Sequence, residues 1–308
     1  MTGLRSAAED YLAVRRALGF QLIGAGRLLR QFVGFTETVG AERITTQLAV
    51  RWATLPPGGS PTWHAQRLAV VRCFARWLQV IDPDTEVPPT DVLANRGRRI
   101  TPWPYSEDDV TALMDAAGRL PSPLAAATMT TFLGLLFSTG MRRGEALGLD
   151  RADLDTATGV LSIRNAKFHK PRQLPLHPST LAALTGYAAR RDRLCPRPRS
   201  TALLVSTTGG RVSASTVSQT FRDLLRQTGI EQRALPRRPR LHDARHTFAV
   251  TTLLRWYRDG GDVRARLPLL STYLGHADPR HTYWYLTAAP ELLALAAERL
   301  DRVTGAVS

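Results

Sequence analysis

The sequence predicts a mainly α-helical protein with one small antiparallel β-sheet, divided into two domains. Three observations carry that expectation. Apolar residues recur at helical spacing through most of the chain. A proline-rich stretch ending in a basic cluster interrupts them at 82–104. Beyond it, two short apolar runs flank a basic segment, which is the pattern of a β-hairpin.

Taken in order, residues 1–80 read as a bundle of about four helices. Leu28, Phe32, Phe35 and Val39 recur at i, i+4, i+7 and i+11, and Leu68, Val71, Ala75 and Leu78 at i, i+3, i+7 and i+10. Each set lies on one helical face. The segment P-P-G-G-S-P (56–61) separates the two stripes. Five prolines then preclude a continuous helix over 82–104, and Arg96, Arg98 and Arg99 make the end of that stretch basic. The domains are read as 1–95 and 105–308, joined by a basic linker at 96–104.

The second domain opens with Ser106 as a helix N-cap, followed by Glu107, Asp108 and Asp109 in the first turn. A helix over about 123–138 ends at Gly140. Strands at 160–164 and 173–176 flank N-A-K-F-H-K-P-R, a hairpin with a basic tip. Helices follow at 242–258 and 267–276, the latter with Pro268 in its first turn and Gly275 at its stop. T-Y-W-Y (282–285) starts another helix, and Leu293, Ala296, Leu300 and Val303 form an apolar stripe near the end.

Composition narrows the class of function. The net charge is +15, and of 41 basic residues only Lys167 and Lys170 are lysines. Such a basic chain fits a polyanionic partner, although GC-rich coding biases a composition toward arginine in the same way. Cys73 and Cys195 are isolated, so neither a zinc site nor a disulfide framework is expected, and a reduced compartment fits. Glu9 and Asp10 interrupt the N-terminus before a signal-peptide core can form, and no run approaches the roughly 20 apolar residues of a membrane span. The expectation is a cytoplasmic, nucleoid-associated protein that does not enter a membrane.

Several short motifs carry candidate chemistry. In L-H-D-A-R-H-T (241–247), His242 and Arg245 share a helical face. His246 lies at i+4 from His242, but no third metal ligand is evident nearby, so no metal is expected. In T-G-M-R-R-G-E-A-L (139–147), Arg142 and Glu145 stand at i, i+3. In L-G-H-A-D-P-R-H-T-Y-W-Y (274–285), His276 sits on a tight turn and Tyr285 follows nine residues later, with Tyr283 as its competitor. Singly, each is as well explained by a surface ion pair, a capping residue or a core aromatic. Together, two arginines, two histidines and a tyrosine suit attack of a side-chain hydroxyl on a phosphodiester.

In this order and spacing, residues from about 103 to 290 resemble the tyrosine recombinase family, also called the phage integrase family. The resemblance implies a SAM-like helical bundle at the N-terminus and an integrase-type catalytic domain after it. It implies Arg142, Lys167, His242, Arg245, His276 and Tyr285 as catalytic residues, with Glu145 as supporting acid. The hairpin departs from the family's Gly-Lys-Gly turn, reading Ala166-Lys167-Phe168. Counting back from Leu174-Pro175-Leu176 favours Lys167 and leaves Lys170 as the alternative. A lysine can give up a proton to a leaving oxygen, whereas an arginine with a pKa above about 12 cannot easily do so.

The implied activity is site-specific DNA cleavage and rejoining through a phosphotyrosyl intermediate, without cofactor or metal. The implied partner is double-stranded DNA clamped between the two lobes, in a homo-tetramer on two duplexes, with a monomer or dimer in the absence of DNA. Arg96, Arg98, Arg99, Lys170, Arg211, Arg237 and Arg238 are candidate DNA contacts, and the C-terminal stripe docks either on a neighbouring subunit or on its own domain. The layout fits the two-domain type without an arm-binding domain, in a mobile element. The alternatives are a chromosome-dimer-resolving recombinase, a topoisomerase-like relaxase, or a non-cleaving DNA-binding protein on the same fold.

Overall fold

The computed structural model describes residues 3–55, 57–93, 102–164, 171–234, 238–276, 278, 280–288 and 292, and the chain divides into two compact units at 1–100 and 101–308. The first unit is built from helices α1 (Leu4–Ala17), α2 (Ile23–Thr38), α3 (Thr46–Thr54) and α4 (Pro61–Leu78). Local chemistry sets where two of them start. The Thr45 hydroxyl accepts from the Leu48 N–H, the Ser60 hydroxyl accepts from the Trp63 N–H, and Pro61 occupies the first turn of α4. Leu12, Leu29, Phe32, Trp52, Leu68 and Phe74 form the core. Arg67 is buried with them, its guanidinium stacked 3.7 Å from the Trp52 ring and donating to the Trp52 carbonyl.

Two features of this unit differ from the sequence reading. Val39 caps the end of α2 and is exposed, because the helix stops at Thr38 before the apolar stripe is complete. Residues 82–93, read only as a stretch whose prolines preclude a continuous helix, are held on the bundle. Arg72 donates to the carbonyls of Pro88 and Pro89, and Val87, Val92 and Leu93 pack on the bundle core. Prolines exclude helix there, but they leave carbonyls available to a side-chain donor.

The second unit contains α5 (Glu107–Gly118), α6 (Pro123–Thr139) and α7 (Arg143–Gly148), then strands β1 (Leu154–Asp155), β2 (Val160–Ile163) and β3 (Arg172–Pro175). Helices α8 (Pro178–Leu194), α9 (Ala214–Gln227), α10 (Ile230–Arg233), α11 (Asp243–Arg258), α12 (Val263–Leu274) and α13 (Arg280–Ala288) follow. Ser106 and Asp109 form a reciprocal capping box on α5. Helix α6 is apolar on most sides because it is packed by α5, α8 and α11. The antiparallel sheet has the order β1-β2-β3, and Ile163 pairs with Arg172 at the end nearest the hairpin tip. Trp103 and Tyr105 pack on this unit's core, and the Tyr105 hydroxyl donates to the Arg240 carbonyl.

The hairpin strands fall within one residue of their expected limits, whereas β1 was not anticipated. It is only two residues long, and its turn is set by Asp155, which accepts from the backbone N–H groups of Ala157 and Thr158. Helix α12 starts a turn earlier than expected, so Pro268 lies inside it. The Asp262 carboxylate caps the Ala265 N–H, and Val263-Arg264-Ala265-Arg266 supply the extra turn. The carbonyl that Pro268 leaves without its helical donor belongs to Arg264, on the exposed side. The C-terminal stripe from Leu293 to Val303 lies outside the described residues.

Candidate active site

Two helix ends in the second unit converge on one place. Helix α6 stops at Gly140 with φ +62°, and α12 stops at Gly275 with φ +70°. Both are left-handed positions that favour glycine, and both are also crowded. A Cβ on Gly140 would lie 2.5 Å from Phe248 Cδ1, and one on Gly275 would lie 2.7 Å from Arg172 Nη1.

The end of α12 can be accounted for carbonyl by carbonyl. The Ser271 and Thr272 oxygens accept from the backbone of the terminating turn, at His276 and Gly275. The next three each receive an arginine. Arg172 Nε donates to Tyr273 O at 3.1 Å, Arg245 Nη2 to Leu274 O at 2.8 Å, and Arg142 Nη2 to Gly275 O at 2.8 Å. Unpaired carbonyls at a helix C-terminus carry partial negative charge, so this end is suited to gather cations. Arg245 also donates to Gly140 O at 2.9 Å, which ties the ends of α6 and α12 together.

Glu145 sets the second attachment of Arg142. Its carboxylate is buried and accepts four hydrogen bonds: from Arg142 Nη1 and the Arg142 backbone N–H, and from Arg172 Nη1 and Nη2, at 2.8–3.0 Å. Burial pushes the Glu145 pKa up, but the hydrogen bonds from Arg172 and the Arg142 backbone, with the charge of Arg172, outweigh it and hold it at about 2. Two guanidinium groups thus bond one carboxylate, and with Arg245 nearby the cluster carries excess positive charge. Burial lowers the Arg245 pKa to about 10, with Arg142 acting in the same sense. The nearby Tyr285 and Glu145 oppose the shift.

The aromatic residues complete the arrangement. Tyr285 is buried, with its ring stacked 6.0 Å from His276 and tilted against His246 at 5.2 Å between centroids. Tyr283, two residues earlier on α13, is 53% exposed. His276 Nδ1 is 2.7 Å from the buried Thr282 hydroxyl, and burial followed by Arg245 and Arg142 lowers its pKa to about 3. His242 precedes α11 and is exposed by surface area, yet the groups packed around it, then Arg245, lower its pKa. Both imidazoles are therefore neutral at neutral pH.

The structure thus brings together Arg142, Glu145, His242, Arg245, His276 and Tyr285. Lys167 and Lys170 lie outside the described residues, as do Arg96, Arg98, Arg99 and Arg237. Arg211 is exposed and donates to Leu147 O, Leu149 O and Asp150, so its guanidinium is anchored on the protein surface. Arg238 is exposed and paired with Glu231 at 3.0 Å. Sequence reasoning does not single out Arg172, and it considers His246 only as a metal ligand. His246 is buried against Tyr285 and Trp284, and burial lowers its pKa to about 4. Among the described residues, no three His, Cys, Asp or Glu side chains are grouped so as to hold a metal ion.

A mainly helical domain with a small sheet, carrying a cluster of arginines and a buried tyrosine, defines a class that comparison with known proteins names. The phage integrase family model matches residues 105–291, and the chain belongs to this family, that of the tyrosine recombinases. It is 41% identical to a Sinorhizobium fredii protein named "Putative integrase/recombinase y4rB", over 98% of each chain. It is 29% identical to tyrosine recombinase XerC of Alcanivorax borkumensis, over 91% of this chain and 85% of that one. Among solved structures, the fold matches the Tn1549 transposon integrase in complex with transposon right end DNA, with a TM-score of 0.65 and 18% identity, over 97% of this chain and 99% of that one.

Proposed function

We propose that this chain is a site-specific DNA recombinase that cleaves and rejoins strands with Tyr285 as nucleophile. The observation that carries this reading is the placement of Tyr285, buried against His276 and His246, while Tyr283 faces solvent. The Tyr285 oxygen attacks the scissile phosphorus, forming a phosphotyrosyl bond as the bond from phosphorus to the 5′-oxygen breaks. The tyrosine proton passes to His242, which is neutral and able to accept it. Lys167 supplies a proton to the departing 5′-oxygen. Arg142 and Arg245, fixed on helix-end carbonyls, stabilise the charge that builds on the non-bridging oxygens. With Nδ1 engaged by Thr282, His276 meets the phosphate through Nε2. Reversal with a 5′-hydroxyl from another strand rejoins the DNA and conserves the phosphodiester bond energy.

The covalent step is tested on a nicked duplex selected from random DNA by the full-length chain. Wild type and Tyr283→Phe should form an adduct that resists SDS, with or without EDTA, and Tyr285→Phe should form none. An adduct in Tyr285→Phe, or its loss with EDTA, contradicts the reading. The reading extends to a tetramer on two duplexes and to a mobile element. Mapping bound sites in cells separates the roles. Sites at the ends of mobile DNA support the mobile-element role, and one fixed chromosomal locus supports dimer resolution.

A further inference from the structure

Arg172 stands at the root of the hairpin, paired with Ile163 at the last described rung before the tip. Its side chain is 12% exposed and each of its three guanidinium nitrogens donates to a protein group. Nη1 and Nη2 take the two oxygens of Glu145 at 3.0 and 2.9 Å, and Nε takes Tyr273 O at 3.1 Å. The backbone has been cleared for it, since any side chain at Gly275 would collide with the guanidinium.

This geometry has a consequence for Arg142. A carboxylate and a guanidinium favour a two-pronged pair. Here the two-pronged pair belongs to Arg172, and Arg142 reaches Glu145 by one side-chain nitrogen only. The other terminal nitrogen of Arg142 is on Gly275 O, and its side chain remains 25% exposed. The clamp arginine is thus held at two points by single hydrogen bonds, and its remaining donors are not drawn onto Glu145.

We propose that Arg172 is a positioning residue for the phosphate clamp. By occupying both oxygens of Glu145 it keeps Arg142 in a single-pronged grip that presents the guanidinium to DNA. Through β3 it ties the described root of the hairpin to Arg142 and to the end of α12. The inference rests on the recombinase reading and adds to it a residue that touches no substrate. Without Arg172, Glu145 would turn to pair fully with Arg142, and the hairpin would lose its tie to the clamp.

The test uses full-length wild type, Arg172→Gln, Arg172→Lys and Tyr285→Phe on the same nicked duplex. Single-turnover adduct formation, DNA affinity and melting temperature are measured for each. Misplacing a clamp group by about 1 Å costs about a hundredfold in rate, so Arg172→Gln should slow adduct formation by about that factor while Kd moves by less than about threefold. Arg172→Lys can reach one Glu145 oxygen but not both, and should lie between wild type and Arg172→Gln. If Arg172→Gln does not fold, Arg172→Lys carries the test alone. Adduct formation at the wild-type rate overturns the inference, and so does a loss of rate matched by an equal loss of affinity and of melting temperature. If wild type and Tyr285→Phe behave alike, the recombinase reading is at fault. If they differ and the Arg172 variants match wild type, only this inference falls.

Discussion

Glu145 shows how much one side chain is asked to do. Its carboxyl is held at about 2, against about 4.3 in an unfolded chain, so folding favours the ionised form. That contribution, on the order of 3 kcal/mol, is present above about pH 4.3 and is lost as the pH falls toward 2. Glu145→Gln should therefore be clearly less stable than wild type at pH 5, and the difference should shrink toward pH 2.5. Urea unfolding at a series of pH values measures it, and a pH-independent difference would contradict the assignment. The residues that can be read from sequence are those with short or ordered spacing: Arg142 with Glu145, His242 with Arg245, and His276 with Tyr285. Arg172 is not legible in this way. Its partners Glu145 and Tyr273 lie 27 and 101 residues away, and spacing rules reach only one or two helical turns.

At the scale of elements, the site depends on where two helices stop. Gly275 ends α12 and also clears space for Arg172, so Gly275→Ala meets two costs at once. The left-handed backbone alone costs an ordinary residue about 1–2 kcal/mol. The added methyl also displaces the Arg172 guanidinium. A lower melting temperature and slower adduct formation are expected, whereas a variant as stable as wild type would show that the turn is not constrained. The sequence made this helix stop legible, because a glycine follows the last apolar residue. The start of α12 was hidden, because a helix-internal proline resembles a first-turn proline and Asp262 follows two glycines that suggest a loop. The two-residue strand β1 is too short for any alternation to appear.

At the scale of the whole molecule, charge and titration set the working conditions. With a net charge of +15, DNA binding is expected to fall by about a thousandfold or more between 50 and 200 mM salt, if six or more phosphates are contacted. Fluorescence anisotropy at several salt concentrations gives that slope, and a flat response would contradict phosphate-dominated binding. His246 and His276 have pKa values of about 4 and about 3 in the fold, against about 6.5 unfolded. Folding favours their neutral forms, so their contribution is intact above pH 6.5 and is lost as the pH falls through the window down to the folded values. Stability should decline below pH 6.5, and His246→Phe should remove part of that decline in calorimetric scans.

The most direct test of the central claim is mass spectrometry of the covalent adduct after nuclease and protease digestion. The account predicts a nucleotide mass on the peptide carrying Tyr285, localised by fragmentation to that residue. A nucleotide on Tyr283, or on any residue other than Tyr285, would contradict it.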